Sequence, residues 1–312
     1  MDAVSDVFDL LQLRGTFYFR THFTGEWGTS VPPLGQAARF HYVMRGNCWA
    51  KVEGGRPIAL SEGDLLMVPH GASHILSHEP VETAPPLEDV LEKSGYDGRR
   101  VLTRGGGDDN AATQLICGHF NFDSELAHPL LDAMPSHILI TPEQRRKRPW
   151  LEQILELLVM NVFGDHPGSL AAVTRLSEIL FIESLHCVDE QAPQLAQLMR
   201  GFTDPRLARA LAAMHAEPQT NWEVESLARE AGMSRTRFAH DFQAAFGQGP
   251  IAYLTEWRLQ RAASELRRTS RRIGDIAYTN GYASAAAFSR AFSARFGCSP
   301  SEMRKGAQTE DA

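Results

Sequence analysis

Cysteine is scarce. Cys48, Cys117, Cys187 and Cys298 are the only four in 312 residues, widely spread and with no C-x-x-C pair. That spacing argues against a disulfide scaffold and for a reduced, cytoplasmic chain. Long apolar runs are missing as well. None approaches the ~18 residues that a spanning helix needs, so no membrane partner is expected. Met1–Leu13 holds acidic residues and no basic flank, which speaks against a secretory leader. Nor is there an overall positive charge: the net charge is −7. Taken alone, that argues against a nucleic-acid partner, but the charge is unevenly spread. Residues 204–312 hold 15 Lys and Arg against 12 Asp and Glu, whereas residues 1–203 hold 16 against 26. An acidic first part joined to a basic last part fits a sensor joined to a DNA binder. The length leaves room for two or three structural units, and 43% hydrophobic with 22% charged residues is ordinary for a globular protein.

What is present is one pattern written twice between Trp222 and Arg304. The first copy runs Leu227-Ala228, Gly232-Met233-Ser234, Phe238, Phe242, Phe246-Gly247, Pro250. The second runs Ile276-Ala277, Gly281-Tyr282-Ala283-Ser284, Phe288, Phe292, Phe296-Gly297, Pro300. Phe242 and Phe292, like Gly247 and Gly297, are 50 residues apart. Each copy predicts a helix-turn-helix. The small residue lets two helices approach, the glycine permits a turn with positive φ, and the serine caps a second helix. Phenylalanines at i and i+4 bury one face of that helix and leave the other to enter a groove. A helix over Ile251–Leu266 joins the copies.

These residues resemble the DNA-binding domain of the AraC/XylS family of bacterial transcription regulators, over about Asp204–Lys305. Gly281-Tyr282, Phe288-Ser289-Arg290-Ala291-Phe292 and Phe296-Gly297-Cys298-Ser299-Pro300 lie closest to the family signature. The resemblance implies seven helices, with two recognition helices held about one DNA turn apart by the central helix. Arg272 stands where a capping serine is usual, and Gly274 weakens its helix by about 1 kcal/mol relative to alanine. His240 and Asp241 replace residues more often basic, which bears on base preference. The positions expected to face DNA are Arg235, Thr236, Arg237 and His240 in the first module. In the second they are Ser284, Ser289 and Arg290, beside the run Ala285–Ala287. Arg290 is the candidate for a base contact, since a guanidinium can bond guanine O6 and N7 together; a phosphate clamp is the alternative. The two modules are expected to bind duplex DNA without the rest of the chain.

Ahead of this lies a β-rich part. Ser5–Leu13 predicts a short amphipathic helix. Phe17-Tyr18-Phe19, Ala38–Met44, Cys48–Val52, Ile58–Leu60, Leu65–Val68 and His74–Ser77 predict short strands separated by Gly/Pro turns, as in a small barrel. Glu79–Asn110 reads as a loop with one helical turn at Leu87–Lys93, either an ordinary insertion or a lid over a cavity. Thr113–Phe122 and His137–Ile140 resume as strands. Gly63-x5-Pro69-x-Gly71-x2-His74 matches the second cupin motif, and Gly35-x5-His41 fits the start of the first, where Val43 and Arg45 then depart from it. Residues 5–140 thus resemble the cupin-type sensor of AraC-like regulators.

Three residues there are candidates for sensing. His41 and His74, with His70 or His78, could hold a divalent metal, or they could be interior residues with ordinary hydrogen bonds. Cys117 is placed by alternation on the face opposite Ile116. It is either an inert small hydrophobe or a redox sensor whose thiol His119 could activate.

Trp150–Phe163 and Ser169–Val188 predict helices apolar around much of their circumference, Leu180 and Phe181 included. They need a neighbour, the barrel or a second chain, and the resemblance implies dimerisation. Gly201–Pro205 reads as a hinge.

The sequence therefore predicts an α+β chain. A cupin-like β-barrel spans 1–141, a helical linker and dimerisation region 142–203, a double helix-turn-helix domain 204–306 and an acidic tail 307–312. The expected function is that of a sequence-specific transcription regulator, not an enzyme. Its first domain senses a small molecule, metal or oxidant. The expected partners are double-stranded promoter DNA, a second copy, and RNA polymerase if the regulator is an activator. A divalent metal is the one candidate cofactor. The rival is a metal-dependent cupin enzyme fused to a DNA-binding domain, and the incomplete first motif counts against it.

Overall fold

A computed structural model describes residues 2–35, 37–97, 101–122, 128–164, 166–188 and 192–310. In chain order, α1 (Ala3–Leu11) precedes strands β1 (Arg14–Phe23), β2 (Gly28–Val31), β3 (Ala37–Arg45), β4 (Asn47–Val52), β5 (Ile58–Ser61), β6 (Leu65–Val68) and β7 (His74–Ser77). Then come α2 (Leu87–Ser94), β8 (Leu102–Arg104), β9 (Gln114–Asn121), α3 (Pro129–Asp132) and β10 (Ile138–Ile140). The rest is helical: α4 (Pro142–Arg146), α5 (Pro149–Val162), α6 (Ser169–Leu185), α7 (Pro193–Thr203) and α8 (Pro205–Ala216). It ends with α9 (Val224–Ala231), α10 (Arg235–Phe246), α11 (Pro250–Arg268), α12 (Ile273–Thr279), α13 (Ala285–Phe296) and α14 (Pro300–Glu310). Among the described residues, no helix is long and apolar enough to cross a membrane.

Leu13–Phe122 and Ala133–Leu195 form one compact unit. Its larger sheet has the order β10-β6-β3-β9-β1-β8, and its smaller sheet the order β2-β7-β4-β5. Both are antiparallel throughout except that β8 runs parallel to β1. The core lies between the sheets, where Val43, Leu66 and Leu115 of the larger meet Cys48, Leu60 and Leu76 of the smaller. The expected barrel needs one amendment. Among the described residues the two sheets stay separate and do not close into a ring. Their edge strands are only three or four residues long, and Pro32, Pro57 and Pro69 stand at strand ends, where a missing N–H stops a ladder. On the outer face of the larger sheet, Phe181 of α6 packs on Phe120 and Phe122 with centroids 5.0 and 5.2 Å apart. Gly15 makes this approach possible, because a Cβ there would sit 2.8 Å from the Thr174 carbonyl oxygen. Glu79–Asn110 is not an open loop. It carries α2, β8 and a 3₁₀ turn at Asp109–Ala111.

Met1–Gln12, Asp123–Asp132 and Ala196–Ala312 form the other unit. Here α8–α14 supply the seven helices expected. Each turn repeats the same hydrogen bond, Met233 N to Ala228 O at 2.9 Å and Tyr282 N to Ala277 O at 3.0 Å, across Gly232 (φ 67°) and Gly281 (φ 81°). Arg272 makes no side-chain cap to α12. Two features of this unit differ from expectation. Gly201 is inside α7, where a Cβ would meet Ala245 at 2.7 Å, so it is a close-packing residue and not a hinge. The amphipathic first helix, α1, packs on α8 and α11 within this unit, with Asp6 3.2 Å from Nδ1 of buried His215.

Candidate ligand cavity and DNA-reading helices

β3 and β9 pair with His41 opposite Cys117, and His74 starts β7 in the other sheet. All three side chains are buried. The three sensing candidates form one chain of hydrogen bonds. Cys117 Sγ is 3.0 Å from His41 Nδ1, His41 Nε2 is 2.8 Å from His74 Nε2, and His74 Nδ1 is 2.9 Å from the Ala72 carbonyl oxygen. A carbonyl oxygen can only accept, so His74 Nδ1 donates and its Nε2 is bare. His41 Nε2–H then donates to His74, and the Cys117 S–H donates to His41 Nδ1. Every member is neutral in this arrangement. Burial agrees: it holds His41 well below the usual histidine range and His74 at about 4, and it raises the Cys117 thiol. The positive charge of Arg39 acts in the same direction on both imidazoles. Burial also pushes Cys48 up to about 12. The His41–His74 bond is a polar link between the two sheets.

Beside this chain lies a cavity of about 300 Å³. Phe23, Leu76, Leu91 and Leu115 are among its apolar walls, while Arg39, His41, Cys117, Thr21 and Thr29 bring polar atoms to it. Leu87 and Leu91 come from α2, which makes the inserted segment part of the cavity wall. Arg39 and Thr29 were not singled out from sequence, whereas α2 covers the helical turn expected at Leu87–Lys93. Arg39 stands two residues before His41 on the same strand, and that spacing was the available signal. His70 and His78 point elsewhere, to the carbonyl oxygens of Met134 at 2.9 Å and Trp27 at 2.8 Å. Among the described residues, no three His, Cys, Asp or Glu side chains are grouped for a metal ion. His41 and His74 turn their Nε2 atoms on each other, and Cys117 occupies the other nitrogen of His41, so this donor set does not converge on one point.

In the helical unit, Ser234 and Ser284 cap α10 and α13 by accepting from Arg237 N and Ala287 N. Phe238, Phe242, Phe288 and Phe292 are fully buried. Arg235, Thr236, Arg237, His240 and Arg290 are exposed, and Ser289 is half-buried. Arg235 pairs with Glu225 and Arg237 with Asp241, both at 2.7 Å, and His240 lies 3.1 Å from Asp241. Arg290 has no ion pair among the described residues.

In the sheet unit, α5 and α6 bury Leu151, Leu155, Leu158, Leu180 and Phe181. Outward they expose Leu157, Met160, Leu170 and Ile179, with Met160 and Leu170 each 68% exposed.

A cupin family model matches residues 2–188, and a helix-turn-helix domain model matches residues 227–306. The chain is 32% identical over 307 residues to a putative AraC-like transcription regulator of Streptomyces lividans, covering 98% of each. It is also 32% identical over 313 residues to the HTH-type transcriptional regulator AlkR of Acinetobacter baylyi, covering 98% of this chain and 99% of that one. Among solved structures, a transcriptional regulator of Chromobacterium violaceum with an AraC-type DNA-binding domain is 30% identical over 34% of this chain and 94% of its own. The TM-score is 0.32.

Proposed function

The chain belongs to the AraC-type DNA-binding transcription regulators, with a cupin-like ligand-binding domain, and we propose that its effector is a small molecule taken into the cavity between the two sheets. The observation that carries this is a largely apolar cavity of about 300 Å³, bordered by Arg39 and by the Cys117–His41–His74 chain. Small-molecule sites are of this kind, with apolar walls and a few placed polar groups. The test is a thermal-shift screen of the full chain beside Leu91→Trp, which fills the cavity. An effector raises the midpoint of the wild type and leaves Leu91→Trp unmoved. Equal shifts in both would put the effector elsewhere.

The regulator binds promoter DNA. The residues proposed to read it are Arg235, Thr236, Arg237, His240, Ser284, Ser289 and Arg290. It acts in the cytoplasm and, as an activator, would meet RNA polymerase. By function we divide the chain into a sensor at 1–141, a linker at 142–203, a DNA-binding domain at 204–306 and a tail at 307–312, although Met1–Gln12 groups with the DNA-binding helices and the linker up to Leu195 with the sheets. Homodimerisation through α5 and α6 is supported by the outward Leu157, Met160, Leu170 and Ile179. Leu180 and Phe181 are core residues, so the probe of the interface is Leu157→Glu with Met160→Glu, which should convert a dimer to a monomer in light scattering. We propose no enzymatic activity. A metal at His41 and His74 would need a third donor and the loss of their mutual hydrogen bond. Stoichiometric iron or manganese in the purified protein would reverse that judgement.

A further inference from the structure

Resting on α10 and α13 as the DNA-reading helices, we propose that Glu256 and Arg295 are positioning residues whose ion pair sets the base discrimination of the second module. Arg295 Nε lies 2.8 Å from each carboxylate oxygen of Glu256, and its Nη2 lies 2.8 Å from Oε1. Several charge-assisted bonds from one planar guanidinium to one carboxylate fix an orientation as well as a distance. Gln260 Nε2 donates to the same Oε1 at 2.5 Å, which steadies the carboxylate from its own helix. The last turn of α13 is thereby tied to the central helix α11.

The first module shows what this pair replaces. Ala245 stands 50 residues before Arg295, and among the described residues the ion pairs of α10 reach only α9 or α10 itself. The end of α10 is held by packing instead. Phe246 is buried against Phe202 and Tyr253, and Gln197 of α7 donates to the Ala244 carbonyl oxygen. Phe296, the counterpart of Phe246, is only half-buried, with the Arg295 guanidinium 5.2 Å from its ring centroid. The core grip of Phe288 and Phe292 lies nearer the start of α13, so its far end is fixed by charge. Arg290 precedes Arg295 by five residues, about 7.5 Å along the helix and about 140° around it. Turning Arg295 toward α11 therefore turns Arg290 outward, and a roll or tilt at the pair moves Arg290 with it. A bidentate base contact needs that alignment, whereas attraction to phosphate tolerates its loss. Without the pair, discrimination should fall before affinity does.

The experiment is a mobility-shift series with the full-length protein on a duplex that it selects from a random-sequence pool, and on every single-base variant of that duplex. Arg290→Ala first marks the bases that the second module reads. Glu256→Gln and Arg295→Gln should each lower discrimination at the marked bases by about three- to ten-fold, and leave the other bases within about two-fold. The double variant should lose no more than either single one, because one interaction is removed in all three. Additive losses would overturn the pairing. Discrimination that falls at all bases alike, together with the thermal midpoint, would reduce the pair to a general support of the fold and overturn the proposal. Arg295→Gln that weakens every duplex and flattens the salt dependence, while Glu256→Gln does neither, would make Arg295 a phosphate contact and overturn it as well. So would unchanged discrimination in both variants. If Arg290→Ala marks no base, the fault lies one step earlier, in taking Arg290 on α13 as the base reader, and the proposal falls with it.

Discussion

In the first helix-turn-helix the ring centroids of Phe238 and Phe242 are 5.6 Å apart, and those of Phe242 and Phe246 are 4.6 Å apart. In the second, the corresponding pairs are 5.3 and 4.5 Å apart. Turn bond, glycine and cap serine recur with them. The outward faces differ. The first carries two arginines already paired with acids, whereas the second carries exposed alanines and an arginine without an ion pair among the described residues. The inner ends differ too, since Phe246 joins Phe202 and Tyr253 in an aromatic cluster while Phe296 is only half-buried. Packing constrains every atom of a core. The outward faces are not packed against a core, so the same backbone can carry two different surfaces.

Substitutions can break or sharpen that contrast. The largest effect should come from the cores. Phe242→Ala and Phe292→Ala should each cost about 3–5 kcal/mol in urea unfolding. The first should lie nearer the upper end, because Phe242 also packs on Tyr253 at 5.6 Å. A larger cost for Phe292→Ala would reverse the ranking of the two cores. Next, Arg290→Ala should cost about 1–3 kcal/mol at a single base position in mobility-shift assays on a set of single-base variants. Uniform weakening on every sequence would identify a phosphate clamp. Ser234→Ala and Ser284→Ala should each lower stability by about 1 kcal/mol, and by similar amounts, since each removes one cap of the same kind. The smallest effect is expected from Asp241→Ala. It frees Arg237 from an exposed pair of about 0.2–1 kcal/mol, so binding to any duplex should tighten slightly. Weaker binding would mean that the pair positions Arg237 for DNA.

These modules were legible because their determinants are local. A small residue, a glycine, a serine and phenylalanines at i and i+4 all act within one or two turns of chain. The sheet unit was legible only in part. Its longer strands showed in the pattern, but β2 and β8 have four and three residues, and β8 finds β1 far back in the chain. Alternation said little about Cys117, because β9 is covered on both faces, by α6 on one and by the intersheet core on the other. Histidines and cysteine looked like rival sensors for the same reason. Only the register that sets His41 opposite Cys117 makes them one hydrogen-bonded chain. The apolar face of α1 was readable from its own residues, but the helices that cover it lie far off in sequence.

That last feature bears on how the protein is made. Val7, Phe8, Leu10 and Leu11 of α1 leave the ribosome about two hundred residues before α8 and α11, by the numbering difference between Leu11 and Pro205. At about 5–20 residues per second, α1 waits on the order of ten to forty seconds with its apolar face uncovered, while the sheet unit is synthesised and can fold. A fragment begun at Asp204 has both reading helices yet leaves bare the surface of α8 and α11 that α1 covers, and His215 without Asp6. The helical unit is thus built from an early and a late segment of the chain, and α1 finds its place only after the late one has been made.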